Sequence, residues 1–268
     1  MTVRPTAAIV LATGAATGMR SSLPMVMRRM GGRPLILHTL ASLTALDLTR
    51  LVVVLGARMT MVAEAVRPLA TVVQREPRGI GHAVMTARDA MLGFTGDILV
   101  LFGDTPLVTS ETLGRLLAAR RAETDPAAVV LGFRSQSPDG CGRLLLARDG
   151  TLEAIIEAKN ASPEQLSIRL CDSGIMALDG KRMFGLLDQV GKENTQDAYC
   201  LTGVIATARA RGFSCAMVCG EEAELARVTS RADLLRAERA FQDRLRKRAG
   251  PRDARHGPLG KTLATRRT

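Results

Sequence analysis

The chain has 268 residues, 46% hydrophobic and 24% charged, enough apolar material to bury a core and too much for a disordered polymer. Its net charge of +11 is concentrated: residues 244–268 hold nine Lys or Arg against Asp253 alone, which accounts for +8. A basic body would argue for a nucleic-acid partner, whereas a basic tail containing Gly250, Pro251, Gly257, Pro258 and Gly260 argues for a solvated, disordered segment, with weak contact to nucleic acid or anionic lipid as the alternative. The expected organisation is therefore one domain over residues 1–243 and a tail over 244–268. The apolar run at residues 7–12 is far short of the roughly 20 needed to span a membrane, and no leader peptide is read, so a cytoplasmic location is expected. Five cysteines without a CxxC pair read as reduced packing residues, not as a zinc site.

In chain order, residues 7–11, 51–55, 98–102 and 128–133 are short apolar runs of the kind that form strands buried on both faces. Helical patterns alternate with them. The spacing predicts helices over 35–46, with Pro34 in the first turn, over 82–91 after Gly81, and over 113–122 with Ser110 as N-cap. Alternation of this kind predicts an α/β fold: a doubly wound, mostly parallel Rossmann-like sheet that binds ligands beyond the carboxyl ends of its strands. Around Asp149-Gly150 the segments 142–148 and 152–157 predict a β-hairpin. A strand over 171–178, helices over 181–190 and 201–211, a strand over 214–218 and a long charged helix over 231–248 follow.

Four places carry candidate chemistry. The loop Leu11-Ala12-Thr13-Gly14, continuing to Gly18 and Pro24, is rich in small residues that let backbone N–H groups approach a phosphate, although a plain βα turn reads the same way. Phe102-Gly103-Asp104 places a carboxylate directly after a buried strand, suited to a divalent cation or, alternatively, to capping a turn. In the segment from Gln74 to His82 an amide and two glycines, Gly79 and Gly81, suit the reading of a base edge. Gly142, Glu157 and Asp172 offer acceptors for sugar hydroxyls in the hairpin region.

Taken together, these segments resemble the uridylyltransferase domain of the bifunctional N-acetylglucosamine-1-phosphate uridyltransferase/glucosamine-1-phosphate acetyltransferase family. The stretches are Ala8-Ile9-Val10-Leu11-Ala12 with Gly14, Ser22-Leu23-Pro24, Gly81-His82-Ala83, Gly103-Asp104 with Pro106, Gly142-Arg143, Ile156-Glu157 and Glu238-Arg239. The resemblance implies transfer of UMP from UTP to N-acetylglucosamine 1-phosphate, with magnesium as cofactor and a nucleoside triphosphate and a sugar 1-phosphate as the small-molecule partners. It places Leu11, Ala12, Thr13, Gly14, Ile80, Phe102 and Gly103 with the nucleotide, Gln74 and Gly79 at the uracil, Asp104 and Thr229 at the metal, and Gly142, Glu157 and Asp172 at the sugar. The chain departs from the family pattern at Ala16 for Gly, Gly18 for the catalytic Arg, Met25 for the catalytic Lys, Ile80 for Thr, Asp172 for Asn and Thr229 for Asn. Two phosphate-clamping cations are thereby replaced, with Arg20, Arg28 and Arg29 as candidate substitutes. Two further readings stay open: a nucleotide-sugar-binding homologue with a regulatory or partner role, and a cytidylyltransferase of the molybdenum-cofactor type. The acetyltransferase repeats do not occur in these residues, so acetyl transfer is not expected and a monomer is.

Overall fold

The computed structural model describes residues 4–14, 23–193 and 199–249. Its strands in chain order are β1 (Thr6–Ala12), β2 (Arg29–Met30), β3 (Arg33–Pro34), β4 (Leu48–Gly56), β5 (Ala70–Gln74), β6 (Asp97–Phe102), β7 (Ala128–Arg134), β8 (Arg143–Leu146), β9 (Leu152–Ile156), β10 (Leu170–Asp179) and β11 (Cys215–Gly220). The helices are α1 (Leu35–Ser42), α2 (Thr60–Ala65), α3 (Ile80–Thr86), α4 (Ser110–Arg120), α5 (Pro163–Leu166), α6 (Met183–Glu193), α7 (Gly203–Ala210), α8 (Glu222–Leu225) and α9 (Arg231–Ala249).

The main sheet runs β11-β7-β10-β6-β1-β4-β5. Only β10 opposes its neighbours on this path, pairing antiparallel with both β6 and β7. Both faces of the sheet are buried, which explains why its strands read as continuous apolar runs instead of alternating ones. In β1, Ala7, Ile9 and Leu11 join one core with α3, α6 and α7, while Ala8, Val10 and Ala12 join the other with α1, α2 and α4. None of these six is more than 4% exposed. The chain leaves β1 toward β4 and β5, then crosses back to β6 on the other side of β1. Loops after β1 and β6 therefore diverge at a switch point, where such sheets bind ligands.

The Asp149-Gly150 hairpin forms as expected, β8 pairing antiparallel with β9 and extending from β10. Several predicted boundaries shift for physical reasons. Helix α1 stops at Ser42, because the Ser42 and Thr44 hydroxyls bond the carbonyls of Thr39 and Ala41 and compete with further helical turns. Pro34 is the residue before that helix, not within its first turn. The N-cap of α4 is Thr109, whose hydroxyl accepts from the Thr112 N–H at 3.2 Å; Ser110 instead donates to the Ser42 carbonyl. Helix α9 is continuous to Ala249, so a boundary at residue 243/244 falls within it. A small third core of Met25, Met30, Leu35, Leu107, Val228 and Ala237 seats this helix beside the sheet.

Candidate active site

Two adjoining cavities open at the carboxyl ends of β1 and β6. The first, about 250 Å³, is lined by Leu11, Ala12, Thr13 and Gly14 from the loop after β1, by Met25 and Val26, and by Ile80, Phe102, Asp104, Arg227 and Thr229. The second, about 220 Å³, lies under the hairpin and includes Gly142, Glu157, Asp172 and Gly174. Ile80, Phe102 and Arg227 line both. The structure thus brings most of the predicted residues together, although they come from separate segments of the chain. Gly18, with Ala16 and Arg20, lies outside the described residues. Gln74, Gly79 and Gly103 line neither cavity.

Gly103 closes the end of β6 onto β1 through its N–H to the Leu11 carbonyl at 2.8 Å. A side chain there would press on Val26 and Ile36 at 3.3 Å, so a glycine lets the turn sit close against α1. The buried Gln74 donates to the Gly79 carbonyl at 3.2 Å and pairs with His82 Nδ1 at 2.9 Å. Its amide nitrogen is committed to bracing the turn before α3. Gly79 takes φ +92°, and a Cβ on it would meet the Tyr199 carbonyl at 2.7 Å. What this glycine admits is therefore the Tyr199 backbone; Gly81 likewise donates its N–H to the Tyr199 carbonyl at 2.8 Å.

Asp104 is 9% exposed and faces the first cavity. Its carboxylate takes two parallel hydrogen bonds from Arg227, Nε to Oδ1 at 2.9 Å and Nη2 to Oδ2 at 2.8 Å. Its backbone carbonyl accepts from the Val228 N–H at 2.8 Å, so the segment entering α9 is docked on the end of β6 by main chain and side chain together. The Arg227 guanidinium lies 3.9 Å from the centre of the Phe102 ring. That ring in turn abuts Gly174, at φ +78°, where a Cβ would come within 2.5 Å of it. Thr229 bonds Asp233 Oδ2 through both its N–H at 3.1 Å and its hydroxyl at 2.9 Å, part of the cap that starts α9.

Magnesium takes about six oxygen ligands in near-octahedral array. Here both oxygens of the one carboxylate in the first cavity are engaged by a guanidinium, and the Thr229 hydroxyl is turned to Asp233. No group of three or more His, Cys, Asp or Glu suited to a metal occurs among the described residues. As arranged, the chain offers the ion a single carboxylate that Arg227 already holds, which is a poor fit.

In the second cavity Glu157 Oε1 accepts from the Thr202 hydroxyl at 2.9 Å and from the Cys200 thiol at 3.4 Å. Asp172 Oδ1 accepts from the Gly174 N–H at 2.8 Å, where β10 is irregular against β7. Burial pushes the Asp172 carboxyl up to about 7, with the Glu157 charge acting in the same sense and the Gly174 N–H and Arg227 opposing. The five cysteines are unpaired, and burial raises the Cys171 and Cys215 thiols to about 11, which suits packing and not reactivity.

Sequence reasoning missed Arg227. Of the substitutes it offered, Arg20 lies outside the described residues, neither Arg28 nor Arg29 lines the first cavity, and Arg29 bonds the Gly32 carbonyl. A cation two residues before the proposed ligand Thr229 was the available signal.

Residues 8–171 match the family described as MobA-like NTP transferase domain. The chain belongs to that family. Among individual NTP transferase relatives, the protein called bifunctional protein GlmU from Paramagnetospirillum magneticum is 48% identical over 243 residues, covering 91% of this chain and 54% of that protein. The protein of the same name from Rhodospirillum rubrum is 49% identical over 244 residues, again covering 91% and 54%. The chain spans about half the length of the curated relatives it matches. Solved structures share the fold at low identity. A UDP-glucose pyrophosphorylase complexed with UDP-glucose superposes with a TM-score of 0.71 at 16% identity, covering 90% of this chain and 99% of that one. The inositol-1-phosphate CTP transferase from T. maritima gives 0.68 at 16% identity, covering 89% and 96%. No helix among the described residues is long and apolar enough to cross a membrane.

Proposed function

We propose that the chain is a sugar-1-phosphate nucleotidyltransferase that moves UMP from UTP to N-acetylglucosamine 1-phosphate or a related sugar phosphate. The observation that carries this reading is the pair of cavities joined at Ile80, Phe102 and Arg227: one lies under the loop after β1, the other is walled by two carboxyl groups. Each is small for a whole substrate, but the two together suit a nucleotide and a sugar meeting at their phosphates. The similarity to proteins named bifunctional protein GlmU supports the choice of sugar and base.

In this reading the backbone from Leu11 to Gly14 receives the triphosphate, and the turn braced by Gln74 and Gly79 presents Ile80 to the base. The sugar ring lies beside Gly142, and its hydroxyls bond Glu157 and Asp172. A phosphate oxygen of the sugar phosphate attacks the α-phosphorus, forming one O–P bond as the bond to the β-phosphate oxygen breaks, and pyrophosphate leaves with the electron pair. The chain supplies position and charge, with no covalent intermediate. No step of this scheme is routed through magnesium, because the one carboxylate in the first cavity is held by Arg227.

A coupled pyrophosphate-release assay tests the reading, with UTP or CTP and N-acetylglucosamine 1-phosphate in magnesium buffer. Turnover that prefers UTP and requires the sugar phosphate is expected. Preference for CTP would redirect the assignment to cytidylyl transfer, and saturable binding of UDP-N-acetylglucosamine without turnover would replace the enzyme by a binding homologue.

A further inference from the structure

We infer that the Arg227 guanidinium takes the place of a divalent cation in this site, so that the chain binds a nucleoside triphosphate without a metal ion. The inference rests on the nucleotidyltransferase reading. Arg227 is the only Lys, Arg or His among the described residues that line either cavity. It sits where the two join, the place at which the phosphates of both substrates meet.

The guanidinium is preorganised. Nε and Nη2 are held by the Asp104 carboxylate, and the Phe102 ring lies against it at 3.9 Å. Nη1 has no hydrogen-bond partner among the described residues, and the side chain keeps 37% of its surface exposed. A planar fork fixed on one edge and open on another is suited to receiving phosphate oxygens in charge-assisted hydrogen bonds. Asp104 is then a positioning residue for the arginine. A dication entering beside it has to share the Asp104 carboxylate with the arginine and withstand its positive charge at contact distance. The apolar Met25, buried in the wall at the position where the resemblance expects a lysine, leaves Arg227 as the source of positive charge among the described residues of the lining.

The test is calorimetric titration of UTP and of CTP into the whole chain, once in EDTA and once in magnesium, for the wild type, Arg227→Ala, Arg227→Lys and Arg227→Gln. The wild type is expected to bind with similar affinity in both buffers. Arg227→Ala and Arg227→Gln are expected to weaken binding in EDTA by about tenfold or more, with partial recovery in Arg227→Lys. Binding of the wild type only with magnesium would overturn the inference and leave the nucleotide reading intact. Equal or tighter binding by Arg227→Ala in EDTA would also overturn it, making the arginine a plug. Failure of both nucleotides to bind in either buffer would remove the nucleotide reading itself, and the inference with it. Should a variant fail to fold, the two wild-type arms still decide.

Discussion

At the scale of single residues, the site turns on charges whose partners lie far away in sequence. Asp172 and Glu157 meet across the hairpin cavity, and their roles separate with pH. The Asp172 carboxyl titrates near 7, so at neutral pH about half of it is neutral and able to donate a hydrogen bond, as the amide the resemblance expects there would. Its folded value lies above the unfolded value near 3.8, so the folded state holds the extra proton. Stability is therefore undiminished below about pH 4, falls as pH rises toward 7 and stays reduced above it. Thermal melts of Asp172→Asn against the wild type are expected to diverge over that window, with the variant gaining more at pH 8 than at pH 5; parallel curves would contradict the assignment. Glu157→Gln should raise KM for the sugar phosphate by about tenfold, the worth of one charged hydrogen bond, with little change in the KM for UTP. An equal rise in both would place Glu157 outside the sugar site.

At the scale of elements, local signals worked where they were self-contained. The Asp-Gly turn identified the β8–β9 hairpin, and apolar runs identified β1, β4, β6 and β7, because a two-residue turn or a doubly buried strand is written in adjacent residues. The cap of α4 was misplaced by one position, since Thr109 and Ser110 are both capping residues and only the packing of Ser110 on Ser42 separates them. Thr109→Ala should cost about 1 kcal/mol in urea unfolding, and Ser110→Ala less. Gly174 is a sharper case. Its positive φ and its contact with Phe102 depend on the irregularity where β10 meets β7, which no short pattern announces. Gly174→Val should drive the Phe102 ring away from Arg227, abolishing nucleotide binding and lowering the melting temperature. The role of Arg227 was not legible beyond its nearness to Thr229 for the same reason: its partner Asp104 is 123 positions away, and only the return of the chain to the end of β6 brings the two together.

At the scale of the molecule, the two ends of the sheet do different work. The carboxyl ends of β1 and β6 open into the cavities, whereas the opposite end is tied by a charged network. There the buried Arg120, at the end of α4, reaches Asp125 at 2.9 Å and Asp179 at 3.2 Å, while Arg121 holds Asp97 at 2.7 Å. Arg120, followed by Arg4, keeps the Asp125 carboxyl well below the usual range. That contribution is complete above about pH 4 and is lost as pH falls toward the folded value, so the chain should lose stability in acid. Arg120→Met should cost about 3–5 kcal/mol by stranding buried carboxylates. Arg4→Ala, at the exposed edge of the same network, should cost less than about 1 kcal/mol. Similar costs for the two variants in urea titrations would show that the network is not organised around Arg120.

The central claim is that a nucleotide and a sugar meet at the junction of the two cavities, and a crystal structure of the chain with UDP-N-acetylglucosamine tests it most directly. The account predicts the diphosphate within hydrogen-bond distance of Arg227, the uridine beside Ile80 and the sugar hydroxyls on Glu157 and Asp172. A ligand bound elsewhere, or a diphosphate that leaves Arg227 untouched, would contradict it.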